Sequence, residues 1–456
     1  MNIVKYAGLI VFLLVFSGCV SQQDEDAPFF YTDETGKGNA FEPLSNVSAQ
    51  LPRLDEDSGV SDYLAYAALN NPGLEAAFND WKAAMERIPQ ARSLPDPRLE
   101  YKYYIEEVET RVGPQRQGVS ISQMFPWFGK LRLRGEAAAE AAEAARQRYE
   151  AEKLELFFEV RDAYYEYYYL ARSIAVTKEN IALVKHLEGV AGSRYKSAAG
   201  THPDVVRAQV EAGKLENRHR SLLDMRKPLQ ARLNAALNRP PETEILFPSE
   251  VPSEDIVINE SRLLSAFSAV NPQLKAMDSE IKRHKKDIKL AGKEFYPDMT
   301  FGLGFIDTDD ASSGAPSDSG KDPVIASVSI NIPLWRDKYK AGVNEARHKY
   351  YAAIGRRRDK ENTLNYRLKR ALYEYRDAER KMDLYKNALL PKSKESLKVT
   401  ESGYRSGSSS FTDLIDAQRI LLEFSLSYER ALVDRAKSLA RLEKLTGGEI
   451  GDKIAE

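Results

Sequence analysis

Residues 136–188 contain neither glycine nor proline, and this absence constrains the fold more than any other feature of the sequence. Apolar side chains recur in this segment every three or four positions: Leu156, Phe157, Val160, Tyr164, Tyr167, Tyr168 and Ile174. The spacing predicts one continuous helix, about 80 Å long at a rise of about 1.5 Å per residue. Such a helix must pack against partners along its whole apolar stripe, as in a coiled coil or a rod. A second stretch of this kind, at 343–390, is interrupted only by Gly355.

The composition of the 456-residue chain argues against several classes of function. Its one cysteine, Cys19, allows neither a disulfide within the chain nor a cysteine-based metal site. The net charge of −2 lacks the basic excess of a nucleic-acid-binding protein. The five histidines are scattered, and no zinc-binding His-Glu-x-x-His pattern or phosphate-binding glycine loop is found. We therefore predict no enzyme, no cofactor, no metal site and no nucleic-acid partner.

The N-terminus has the features of a secretory signal over residues 1–18, with Lys5 followed by an apolar run. Residues 15–19 resemble a bacterial lipobox, in which Cys19 becomes the acylated first residue of the mature protein. Each buried methylene contributes about 0.8 kcal/mol, so several chains anchor a protein firmly. By resemblance to such lipoproteins, Val20 favours the outer membrane. The alternative is an ordinary cleavage site beside a chance cysteine. The polar residues 19–59 are predicted to form a tether.

Two hairpins are predicted from a change to a period of two. Residues 99–105 and 119–125 alternate apolar and polar side chains, and so do 301–305 and 324–332. Strands of about ten residues suit a tilted membrane strand, although a soluble half-buried hairpin has the same pattern. Because no apolar run after Cys19 approaches the roughly 18 residues of a spanning helix, a chain of this kind could cross a bilayer only as a closed β-barrel.

Aromatic residues flank these strands. They are Phe125, Trp127 and Phe128 after the first hairpin, Tyr296 before the third strand and Trp335 after the fourth. Because Trp and Tyr favour the membrane–water interface, we predict an interfacial position for this set. A packed corner of the core is an equal alternative.

The chain repeats its plan of helix, hairpin, long helix and helix. Asn71-Pro72 recurs 200 positions later as Asn271-Pro272. We predict one repeat at 60–240, a connector at 241–258, a second repeat at 259–448 and a tail at 449–456. Two hairpins supply four strands, whereas a membrane barrel needs eight or more. Inserted hairpins would therefore require a closed oligomer.

The duplicated plan, the Phe125–Lys130 and Ile332–Trp335 hairpin ends, and the 403–418 stretch resemble the TolC family of outer-membrane efflux proteins. The resemblance implies a mainly α-helical trimer, in which long antiparallel helices form a periplasmic tunnel and twelve strands form an outer-membrane barrel. It also implies a periplasmic adaptor and an energised inner-membrane transporter, with the RND type as one candidate. The lipobox and the Phe-Pro-Trp-Phe-Gly-Lys run favour the lipoprotein and heavy-metal-efflux branches.

The resemblance also assigns roles to four residues near the helix ends. Asp413 and Asp416 match acidic rings at the periplasmic constriction, which would attract cations. Helix capping by Ser410 and Asp413 is the alternative. Tyr404 and Asp204 match a pair that helps to hold relatives closed. The basic partner of that pair falls at Ser409 in this sequence, so either Arg405 replaces it or closure is looser.

The sequence thus predicts a passive exit duct of a tripartite efflux pump. Its cargo could be metal ions, drugs or peptides, selected mostly by the inner-membrane transporter. The competing hypothesis is a non-transporting coiled-coil lipoprotein of the periplasm, which would use the long helices but not the strands.

Overall fold

The computed structural model describes residues 52–55, 58–248, 250–251, 258–314 and 316–448. The signal segment, Cys19 and the tail at 449–456 lie outside the described residues, as does most of the tether. The first repeat contains α1 (Val60–Asn70), α2 (Pro72–Arg92), β1 (Arg98–Val108), β2 (Gln115–Phe125), α3 (Lys130–Lys196), α4 (His202–Asp224) and α5 (Arg226–Ala236). The second contains α6 (Glu260–Val270), α7 (Pro272–Lys293), β3 (Met299–Thr308), β4 (Val324–Ile330), α8 (Arg336–Leu384), a π turn (Tyr385–Leu389), α9 (Leu390–Ser406) and α10 (Phe411–Thr446).

The repeated Asn-Pro dipeptide forms the same corner in both repeats. The Asn71 side chain accepts a hydrogen bond from the Leu74 amide at 3.0 Å and caps α2, which begins at Pro72. Its amide group donates to the Ala236 carbonyl at the end of α5. Asn271 caps α7 in the same way and donates to the Leu445 carbonyl at the end of α10. Each corner therefore ties the first half of its repeat to the last helix of that repeat.

The first long helix is longer than the segment that predicted it. It begins at Lys130, continues through Gly189 and Gly192, and ends at Lys196. Its 67 residues correspond to about 100 Å. Two isolated glycines cost a helix only about 1 kcal/mol each, which packing against α4 and α10 offsets.

Two prolines within helices, Pro89 and Pro391, have different effects on the backbone around them. Pro89 lies near the end of α2 and does not interrupt it. Pro391 lies in the first turn of α9, and a π turn at Tyr385–Leu389 precedes it. Because proline has no amide hydrogen and its ring crowds the preceding turn, a wider turn before it relieves the clash. A break at Met225 separates α4 from α5.

The four strands form one antiparallel sheet in the order β1-β2-β3-β4. The helices that adjoin the strands pack in the same order, α2 beside α3, α3 beside α7 and α7 beside α8. Toward the other end of the helices, α10 lies between α3 and α8, and α4 packs on α3. The strands, the helical segments next to them and the helical segments at the far end therefore each form a layer of four elements with two open edges. The prediction of long helices with four strands and an internal repeat is confirmed.

Tyrosines fill much of the largest core cluster, where α1, α3, α5 and α10 meet. Tyr167 is fully buried, and its hydroxyl donates to the Ile245 carbonyl at 2.9 Å. Tyr63 and Tyr164 pack edge to face, with ring centroids 5.3 Å apart. In the part of the chain that the structure describes, no helix has the length and apolar character of a membrane span.

Candidate functional site

One face of the sheet is apolar and is not covered by the helices of the chain. The register aligns Leu99, Ile121, Leu303 and Ala326 in one cross-strand row. Leu303 is 60% exposed and Val328, on the same face, is 67% exposed. The opposite face carries small and polar residues, such as Ser120 and Gly304. An exposed apolar surface of this kind marks contact with a membrane or a partner, and a membrane strand presents the same alternation.

The five aromatic residues predicted at an interface lie where the strands meet the helices. Trp127 stacks on Tyr296, with ring centroids 5.2 Å apart and planes inclined by 14°. Phe128 packs against the edge of Trp127, and Phe125 packs against Phe301 of β3. Trp335 is 77% exposed. These contacts join the two hairpins of the chain at the base of the sheet.

A cluster of one basic and two acidic residues, which the sequence analysis missed, lies next to these aromatic residues. The Lys130 side chain is 1% exposed, and its ammonium group lies 2.9 Å from Asp298 Oδ1 and 3.2 Å from Glu294 Oε2. Asp298 Oδ1 also accepts the Trp127 amide at 2.7 Å. Because a buried ion pair holds together only when its hydrogen bonds are satisfied, this cluster fixes the start of α3 against the start of β3. Its sequence signal was the Gly-Lys after one hairpin and the Pro-Asp before the next.

At the other end of the helices, the structure brings Tyr404 and Asp204 together. The Tyr404 hydroxyl donates to Asp204 Oδ2 at 3.4 Å, which links α9 to the first turn of α4. Burial, and secondarily the nearby Asp204 carboxylate, raise the pKa of Tyr404. The tyrosine hydroxyl is protonated at neutral pH even without this shift, and the raised pKa extends its donor role to more alkaline pH.

Arg194, near the end of α3, completes this contact, and the sequence analysis did not identify it. Its guanidinium carbon lies 4.8 Å from the centre of the Tyr404 ring. The guanidinium donates to the backbone carbonyls of Tyr404, Arg405 and Ala199, the last two at 2.6 Å. These bonds satisfy carbonyls at the end of α9, where a cation also complements the helix dipole. The Arg405 side chain instead contacts Glu401 and His186.

Asp413 and Asp416 lie near the start of α10, but their surroundings differ. The Asp413 amide donates to Ser410 Oγ at 3.1 Å and the Ser410 amide donates to Asp413 Oδ2 at 3.0 Å, which forms a capping box. The Ser410 hydroxyl also donates to Asp413 Oδ2 at 2.7 Å. The side-chain and backbone hydrogen bonds from Ser410 lower the pKa of Asp413. Asp416 lies 3.4 Å from Arg419, which also binds Glu211 at 2.6 Å. Both carboxylates thus have partners within the chain.

The sequence of the chain is similar to those of known outer-membrane and export proteins. The family model described as "Outer membrane efflux protein" matches residues 64–239 and 263–448. The curated "Toxin and drug export protein A" of Aggregatibacter actinomycetemcomitans is 27% identical over 227 residues, which is 48% of each protein. The "Cobalt-zinc-cadmium resistance protein CzcC" of Cupriavidus metallidurans is 21% identical over 435 residues, 92% of this chain and 96% of CzcC.

Solved channel structures share the fold at low sequence identity. The outer membrane protein VceC from Vibrio cholerae aligns with a TM-score of 0.72 and 16% identity, over 86% of this chain and 96% of VceC. The MtrE outer membrane channel of Neisseria gonorrhoeae aligns with a TM-score of 0.70 and 19% identity, over 86% of this chain and 89% of MtrE. The two matched segments together exceed half of the chain. The chain therefore belongs to the outer membrane efflux protein family, and it is an outer-membrane efflux channel of the tripartite-pump type, not an enzyme.

Proposed function

We propose that three copies of this chain assemble into one exit duct that conducts substrates passively from the periplasmic side to the outside. The observation that carries this proposal is the sheet with one exposed apolar face and two unpaired edges, β1 and β4. An open edge inside a bilayer leaves backbone groups without hydrogen-bond partners, which costs several kcal/mol each. Three copies would supply twelve strands, enough to close a barrel.

The edges of the helical layer support the same assembly. Tyr351, Tyr366 and Tyr373 are exposed on α8, which forms one edge. Val206 and Val210 are exposed on α4, at the opposite edge of the layer. In a ring, each α8 edge would face the α2 and α4 edge of the next copy, so that the exposed tyrosines and valines of neighbouring copies become buried.

The proposed partners follow from the family resemblance. A periplasmic adaptor protein would contact the grooves near 195–204 and 404–413, and an energised inner-membrane transporter, with the RND type as the candidate, would supply the substrate. The similarity to CzcC over most of both chains favours metal cations as one cargo. The scaffold hypothesis is disfavoured because a periplasmic scaffold would leave the apolar sheet face in water.

Reconstitution in a planar bilayer tests the duct. We expect discrete conductance steps from the purified oligomer, and a mass in uncharged detergent that corresponds to three copies. A folded monomer, or a folded trimer that stays silent at every voltage, would contradict the proposal and favour the scaffold.

We propose that Tyr404, Asp204 and Arg194 hold the periplasmic end closed. A hydrogen bond from a charged group contributes about 2 kcal/mol. The guanidinium of Arg194 donates to three carbonyls, and in Arg194→Gln a net loss equal to only one of these bonds should raise the ratio of open to closed channels roughly 30-fold, seen as longer or larger openings. Tyr404→Phe should change the ratio in the same direction. Lys196→Gln, which removes an exposed cation two residues away, is the control. Equal gating in Arg194→Gln and Lys196→Gln would rule out this role.

We propose that Asp413 and Asp416 of three copies form the acidic constriction. Asp413→Asn with Asp416→Asn removes the charges but retains oxygens that can accept the Ser410 bonds. We expect the ratio of cation to anion permeability, measured from reversal potentials in a salt gradient, to fall about twofold or more. An unchanged ratio in a correctly folded trimer would leave these residues only their capping and ion-pair roles.

We propose that residues 1–18 are removed, that acylated Cys19 anchors the polar tether 19–59, and that the tether leads into repeats at 60–240 and 259–448. In Cys19→Ser, incorporation of labelled palmitate should be lost, because the thiol that carries the first lipid is absent. The label should remain on wild type purified from the outer membrane. Palmitate incorporation that persists in Cys19→Ser would refute the anchor.

A further inference from the structure

A cavity of about 560 Å³ lies among α3, α7 and α8, away from both the sheet and the closed end of the helices. Its volume is in the range of small-molecule sites, about 300 to 1,000 Å³. Arg148 and Glu152 reach it from α3, Glu280 and Arg283 from α7, and Arg356 and Lys360 from α8. Both repeats thus contribute to one concave surface that the duct proposal does not use.

The charges around this cavity are unbalanced. Four cationic side chains and two carboxylates line it, so the formal charge from these six is +2. Glu280 already binds two of the cations, with Arg148 at 2.5 Å and Arg283 at 2.7 Å. A free cationic excess would attract an anion, since the surrounding wall is partly apolar and screens it less than bulk water does.

Arg356 and Lys360 carry this excess. Within the described ranges of the chain, neither forms an ion pair of 4.0 Å or less. They lie four residues apart on the same face of α8, a spacing at which like charges repel and destabilise a helix. Arg357 between them is engaged by Asp278 and Glu361 and points elsewhere. An anion between Arg356 and Lys360 would replace their repulsion with two charge-assisted contacts.

The remaining lining explains what else such a ligand must contain. Ala276, Met277 and Ala353 give part of the cavity an apolar surface. The Arg283 Nε–H group is buried and has no acceptor among the described residues, and Gln273 Oε1 is buried without a donor. A buried donor without an acceptor destabilises the protein, and an oxygen of a bound ligand would supply the missing acceptor.

We infer that this cavity binds an amphipathic organic anion. Its phosphate or sulfonate group would lie between Arg356 and Lys360, within reach of Arg283, and its apolar body would lie on Met277 and the two alanines. Inorganic phosphate lacks the body, and a neutral aromatic lacks the charge, so each should bind more weakly. The inference rests on the cavity alone and holds whether or not the duct proposal is correct.

Calorimetric titration of the full-length protein in an uncharged detergent tests this site with 1-naphthyl phosphate as the probe. We expect binding at least tenfold tighter than that of 1-naphthol or inorganic phosphate, and a clear loss of affinity at high salt, since the contact is ionic. Equal affinity for 1-naphthol would refute the anion site. Equal affinity for inorganic phosphate would refute the amphipathic ligand class.

Substitutions of the cavity residues test whether 1-naphthyl phosphate binds at this site. Arg356→Gln with Lys360→Gln should weaken binding of 1-naphthyl phosphate at least tenfold. Arg358→Gln is the matched control, because it removes an exposed cation of the same helix that does not line the cavity. Both proteins should give the wild-type circular dichroism spectrum and oligomer mass. A double variant that passes these checks and still binds like wild type would overturn the inference.

Discussion

The unpaired edges of the sheet and of the helical layer determine the organisation of this protein. The sheet ends in two strands whose outer backbone groups have no partner strand among the described residues, and the helical layer continues those edges in the same order. Neither edge can be closed internally, because the order of strands and helices places the two edges on opposite sides. The apolar sheet face is favourable in contact with lipid, whereas the exposed tyrosines of α8 and the exposed valines of α4 are favourable when another surface covers them.

Short local patterns were enough to predict most of the fold. Alternation identified all four strands, and the Asn-Pro pair identified both helix corners because an asparagine cap followed by proline is a local interaction. The ends of α3 could not be predicted in the same way. Gly189 and Gly192 weaken a helix in isolation, but packing against α4 and α10 outweighs that local preference. The π turn at Tyr385–Leu389 also depends on neighbours that the sequence does not specify.

The candidate site was predicted as far as the resemblance to the TolC family extended. That resemblance paired Tyr404 with Asp204, and the structure places the two side chains in contact. Arg194 does not belong to a motif. It reaches Tyr404 because α3 ends beside α9, and its partners are backbone carbonyls, which no side-chain pattern reveals. The cluster of Lys130, Glu294 and Asp298 was hidden by sequence separation, because Lys130 lies more than 160 positions before the two acidic residues.

The π turn gives the two repeats different stiffness. α3 keeps its backbone ladder without interruption from Lys130 to Lys196, whereas the corresponding rod of the second repeat contains one wider turn immediately before Pro391. A helix bends most easily where its backbone hydrogen bonds are interrupted, which here is the π turn before Pro391, a residue without an amide donor. The second repeat therefore bends more easily between α8 and α9 than α3 does along its length.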